Sequence, residues 1–159
     1  MSEMLANHYF HSRNYASAQA LYEPLLAQKP AEKSLRRRMV VCYLQTGAIR
    51  KALAIFTHLV LEDADFIINT HPVDDDCPCP ELIAEMQVQS PDALSLEMEL
   101  RLGMLWLYCD ISKSVYYFEQ ALRQHPDERD VQQILTCLRP KSIDINKKRS
   151  SDMPMEAIR

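Results

Sequence analysis

Glycine is nearly missing from this chain of 159 residues: only Gly47 and Gly103 are present. That scarcity argues against a glycine-rich loop cradling phosphate and against a sheet joined by many tight hairpins. A nucleotide-binding α/β enzyme is therefore a poor fit. Long hydrophobic runs are lacking too. Stretches such as Met104 to Tyr108 fall far short of the roughly 18 to 20 residues that cross a membrane. The N-terminus has no cationic start followed by an apolar core, so no secretory signal is expected and the expected compartment is the cytoplasm. The cysteines, Cys42, Cys77, Cys79, Cys109 and Cys137, form an odd set without framework spacing, which suits reduced thiols.

Bases are wholly absent from residues 61–100, which carry eleven acids, whereas residues 1–60 hold eight bases against three acids. Charge by segment is +5 for 1–60, −11 for 61–100, −1 for 101–138 and +3 for 139–159, so the net −4 conceals strong segregation. The 47% hydrophobic content is enough for one domain with a buried core.

What the chain does have is a period. A shift of 34 residues aligns Leu5 with Met39, Ala6 with Val40, Tyr9 with Tyr43, Ala18 with Ala52, Tyr22 with Phe56 and Leu25 with Leu59. Within each unit the apolar positions recur at three- and four-residue steps, from Leu5 to Tyr9 and from Ala18 to Leu25, which predicts two amphipathic helices. Turns are expected at Ser12-Arg13-Asn14 and at Thr46-Gly47-Ala48. A third copy has Leu102, Gly103 and Trp106 on its first helix, Ser114, Phe118 and Ala121 on its second, and Pro126 at its close; its turn near Cys109 and Asp110 is one residue shorter. Pro24 is expected to kink the second helix of the first unit.

An apolar pair, two residues, an aromatic, then small-x-x-x-aromatic and a proline resembles the tetratricopeptide repeat. Leu5, Ala6, Tyr9, Ala18, Tyr22 and Pro30 carry the resemblance, with Met39, Val40, Tyr43, Gly47, Ala52 and Phe56, then Leu102, Gly103, Trp106, Phe118, Ala121 and Pro126. It covers about two thirds of the chain, with Arg13 standing where the first turn has glycine, Ala64 for a closing proline and Ser114 for a small alanine. The implied fold is all-α: a right-handed stack of about three helical hairpins, near residues 1–30, 31–63 and 95–126, with a capping helix over 127–138. Residues 64–94 are expected to be an insertion, a loop broken by Pro72, Pro78 and Pro80 and then one short helix from Glu81 to Val88, before Ser90 and Pro91 open the third unit. Residues 139–159 read as a disordered polar tail.

The resemblance further implies a concave groove lined by the first helices, holding a segment of another protein. By alignment its lining is Asn7, Phe10 and His11, then Arg37, Arg38, Val41, Leu44 and Gln45, then Met104, Leu107 and Tyr108. One subfamily grips a terminal carboxylate with two lysines, two asparagines and an arginine. Only Asn7 and Arg101 match here, with Glu3, Arg38 and Glu97 at the other positions, so that clamp is not expected. The mixed apolar and cationic lining suits an acidic or amphipathic segment. The expected role is an adaptor, scaffold or assembly factor, with a small chaperone for secreted or assembling subunits as a variant and self-association as an option.

Other chemistries were weighed against this one. Cys77 and Cys79, beside His71, are weak candidates for a metal or redox site, because two thiols one residue apart supply half of a zinc set. The bland alternative is an acidic prolyl surface loop. No arrangement supports catalysis, and no cofactor is expected. Arg36, Arg37, Arg38, Arg50 and Lys51 form a basic patch, but an isoelectric point near 5.7 and no interleaved aromatics argue against nucleic acid. A solvated helix face, or pairing with the acidic segment 61–100 of the same chain, is the preferred reading, and recognition of an acidic peptide is a third. In the furthest form of that pairing, the insertion folds over the groove and occupies it.

Overall fold

Small residues spaced against aromatics let helices pair closely, and the paired helices stack. The computed structural model describes residues 2–71, 73–89 and 94–151, among which there are eight helices and no strand. These are α1 (Ser2–His11), α2 (Tyr15–Gln28), α3 (Lys33–Gln45), α4 (Ile49–Ile68), α5 (Cys79–Gln89), α6 (Leu96–Trp106), α7 (Ile111–Gln124) and α8 (Arg129–Ser151). The pairs α1/α2, α3/α4 and α6/α7 are the hairpins, and α2 packs on α3 as α4 packs on α6. Ala18, Ala52 and Ala121 are fully buried where helices meet. At the position equivalent to Ala18, Ser114 is also fully buried, and its hydroxyl donates to the Gly103 carbonyl at 2.6 Å. That bond removes the cost of a buried hydroxyl.

The first two turns repeat bond for bond. Asn14 N–H donates to the Tyr9 carbonyl and Ala48 N–H to the Tyr43 carbonyl, both at 2.8 Å. The residues before them are left-handed, Arg13 at φ 63° and Gly47 at φ 86°. This is a six-residue closure of a helix C-terminus, which glycine normally supplies. The third unit closes differently, with Asp110 N–H on the Trp106 carbonyl and the Asp110 carboxylate capping α7 through the amides of Ser112 and Lys113.

Two expectations need correction. Pro24 does not interrupt α2, which is helical from Tyr15 to Gln28; Pro24 and Ala20, whose carbonyl loses its donor, both lie on the exposed face. Nor does the last helix stop at residue 138 with a disordered tail behind it, since α8 runs on to Ser151 through Pro140. The reason is packing. Buried Leu138 and Ser142 and half-buried Ile145 continue one stripe, Lys141 pairs with Asp65 at 3.1 Å, and Asn146 bonds Ser112 at 3.2 Å. α8 lies against both α4 and α7. Ser90, Pro91 and residues 152–159 lie outside the described residues.

α4 has a break of its own. Asp63 is extended (φ −160°), and a last helical turn follows it. Residues 69–71 and 73–78 are not helical and lead into α5, which packs on α6; Pro72 lies outside the described residues.

Candidate functional site

Arg37 projects from α3 with its side chain 13% exposed. Its guanidinium stacks over the Phe66 ring, 4.5 Å from the centroid, and donates to the Phe66 carbonyl and to the Thr70 hydroxyl at 3.3 and 3.2 Å. Its remaining nitrogen pairs with Asp75 at 3.4 Å. On the opposite wall, Arg13 in the first turn pairs with Asp76 at 3.3 Å and with Glu81 at 3.4 Å, and the His11 imidazole also bonds Asp76. Burial alone raises the Asp76 carboxyl, but the bond from His11 and the Arg13 charge outweigh it and hold the group below its ordinary range. Asp76 is itself left-handed, at φ 46°. Two non-glycine residues in strained conformations thus grip each other, an arrangement of the sort that accumulates at functional sites.

The expected groove is therefore filled. Phe10, Arg37, Arg38, Val41 and Tyr108 on one side face Thr70, Asp75, Asp76, Cys77 and Pro78 on the other. The cavity left between them is about 10 Å³, room for one water at most. Phe10, Val41 and Tyr108 are buried, and the Tyr108 hydroxyl donates to the Arg37 carbonyl at 2.8 Å. Leu44, Met104 and Leu107, expected along the groove, belong instead to the core. Gln45 is half-buried, while His11 is exposed apart from its contact to Asp76. Asn7 accepts from the Tyr22 hydroxyl at 2.6 Å and from Arg38 at 2.8 Å, and Arg101 donates to the Leu44 carbonyl. The two residues that match a carboxylate clamp are thus engaged within the fold.

Two more arginines of the basic patch and nearby Lys33 are engaged as well, while Lys51 is exposed and lies over the Tyr43 ring at 5.7 Å. Arg36 pairs with Glu62 at 2.8 Å, Lys33 with Asp63 at 2.8 Å and Arg50 with Glu128 at 2.7 Å. Arg13 is the residue the sequence reading passed over. It stood out only as a departure from a turn glycine, and a charged side chain where the backbone needs glycine is the signal that marks it.

The thiols do not assemble a metal set. His71 accepts from the Asp74 amide at 3.2 Å, and among the described residues no three His, Cys, Asp or Glu side chains converge as metal ligands would. Cys77, half-buried, receives hydrogen bonds from the thiol and amide of Cys79, and with Arg37 and Arg13 nearby its own thiol is held below the ordinary range. Burial pushes the Cys79 thiol well up.

Beyond the filled groove the face stays open. A cleft of about 410 Å³ continues past Thr70 and Tyr108, lined by Ile68, Pro80, Ile83, Ala84 and Trp106. Residues 9–68 match the family model described as tetratricopeptide repeat. Over those residues the chain is similar to the tetratricopeptide repeat family. Tetratricopeptide repeats are in general protein interaction modules. The third hairpin, outside the matched residues, repeats the pattern through Gly103, Ser114 and Phe118. No curated protein and no solved structure matches the chain.

Proposed function

We propose that this chain is a protein interaction module that captures an acidic segment of a partner protein in the groove between α1, α3 and α6. One observation supports the reading above others. The groove holds a carboxylate-bearing segment already, with the cationic ends of Arg13 and Arg37 turned onto Asp75 and Asp76. Arg37, largely withdrawn from water, favours a carboxylate in front of it whichever chain supplies it. The cleft beyond, with Ile83, Ala84 and Trp106, accommodates apolar side chains next to the acids, so an acidic and partly apolar segment fits best. The role is binding, as an adaptor, scaffold or assembly factor.

An array of extended peptides tests this. Peptides with paired aspartates should be retained, their lysine-for-aspartate counterparts should not, and Arg37→Glu should abolish retention while far-UV circular dichroism stays unchanged. Retention that ignores both the peptide charge and Arg37 would sink the reading.

A further inference from the structure

We propose that the acidic segment from Val73 to Pro78 is an autoinhibitory occupant of the partner groove, a resident competitor that must leave before a partner segment enters. This rests on the groove reading above and adds its regulation. The segment lies on the wall opposite Phe10, Val41 and Tyr108 with space for one water at most, so it and a partner cannot occupy the groove together. It is tethered at both ends, by the last turn of α4 and by α5. A short tether holds a ligand at an effective concentration of order millimolar, so a free segment of equal intrinsic affinity competes poorly.

The hold is nonetheless releasable. Asp75 and Asp76 keep about a third of their side-chain surface in water, and Glu81 keeps 64%. Ion pairs this exposed contribute little each, because water and salt screen them. By contrast, Arg37 is 13% exposed and stacks on half-buried Phe66, an environment that does not favour an empty groove. Exchange of one carboxylate segment for another is therefore the favoured route, and opening to solvent is not. The backbone points the same way. Arg13 occupies a left-handed turn position that disfavours a non-glycine residue, and the side chain gained at that position reaches Asp76 and Glu81.

The probe is a fluorescein-labelled peptide of residues 73–81 with both cysteines replaced by serine, titrated by anisotropy into full-length protein. Wild type is expected to bind it weakly. The double variant Asp75→Asn, Asp76→Asn should bind at least about tenfold tighter, because the apparent affinity scales with the open fraction. A variant with residues 73–78 replaced by a glycine–serine linker of equal length should do the same, which covers failure of the first variant to fold. Adding Arg37→Glu to either released variant should remove binding. Equal affinity of wild type and released variants, with dependence on Arg37 retained, overturns the autoinhibition and leaves the groove reading standing. No binding by the released variants, or binding indifferent to Arg37, overturns both.

Discussion

Arg13 and Gly47 stand 34 residues apart at the same position of the same turn, at φ 63° and 86°. Arg13→Gly therefore removes backbone strain while it deletes two ion pairs, and the melting temperature should change by no more than a few degrees. The same variant should raise amide exchange in residues 73–78, whereas a purely structural Arg13 would leave that segment's protection unchanged. Cys77 and Cys79 differ as sharply. The first thiol is held down by its neighbours and the second is fully buried, so iodoacetamide on the native protein should label Cys77 first, and denatured protein should label both alike. Cys109 is exposed, but burial of its sulfur and the nearby Cys77 and Asp110 push its thiol up to about 11, and it should lag behind Cys77. Glu99 carries the opposite shift from Asp76. It is 6% exposed, one oxygen lacks a partner among the described residues, and burial raises its carboxyl. A raised carboxyl binds its proton more tightly folded than unfolded, so stability falls as pH rises above the ordinary value near 4.3. Glu99→Gln should remove that fall and add about 1 kcal/mol at neutral pH, read from thermal melts across pH.

At the scale of helices, the close approach of α6 and α7 hangs on Gly103. A methyl group there would meet the Phe118 ring at 2.9 Å, and Phe118 is itself fully buried against Phe56. Gly103→Ala should cost about 1–3 kcal/mol, measured by denaturant unfolding. This part of the fold was legible in the sequence, because Gly103, Ser114 and Phe118 recur at repeat spacing and helical packing is local. α8 was less legible beyond Leu138. Beyond it the inward stripe rests on Ser142 and Ile145 among the described residues, too few to show a period in a polar stretch, and Pro140 reads as a stop when its neighbours are unknown. The groove was legible in its residue types and not in its state. Arg37, Phe10 and Tyr108 follow from the repeat, but the contacts that fill it join residues 33 positions apart, as Arg37 and Thr70, or 63 apart, as Arg13 and Asp76. Only the segregation of charge along the chain hinted at them.

Over the whole molecule, that segregation becomes neutralisation. Acids of the 61–100 segment meet bases of the first sixty residues at Glu62, Asp63, Asp75, Asp76 and Glu81. Hydrogen bonds from their cationic partners hold Glu62 and Asp63 below the ordinary carboxylate range, and Asp76 lies low despite its burial. A depressed carboxyl contributes stability above its unfolded value near 4 and loses it as pH falls through the folded value. Acidification below about pH 4 should therefore free the segment from the groove, seen as exchange of residues 73–78 ahead of the α2 and α3 cores.

The insertion sits between the second hairpin and the third in chain order, and this sets a sequence of events in time. A growing chain that has reached residue 68 holds both cationic walls, Arg13 and Arg37, with Phe66 to stack on the second but no carboxylate yet to face either. The acidic stretch emerges next, ahead of α5 and α6, so the cover for the groove is made before the third hairpin and α8 that complete the stack.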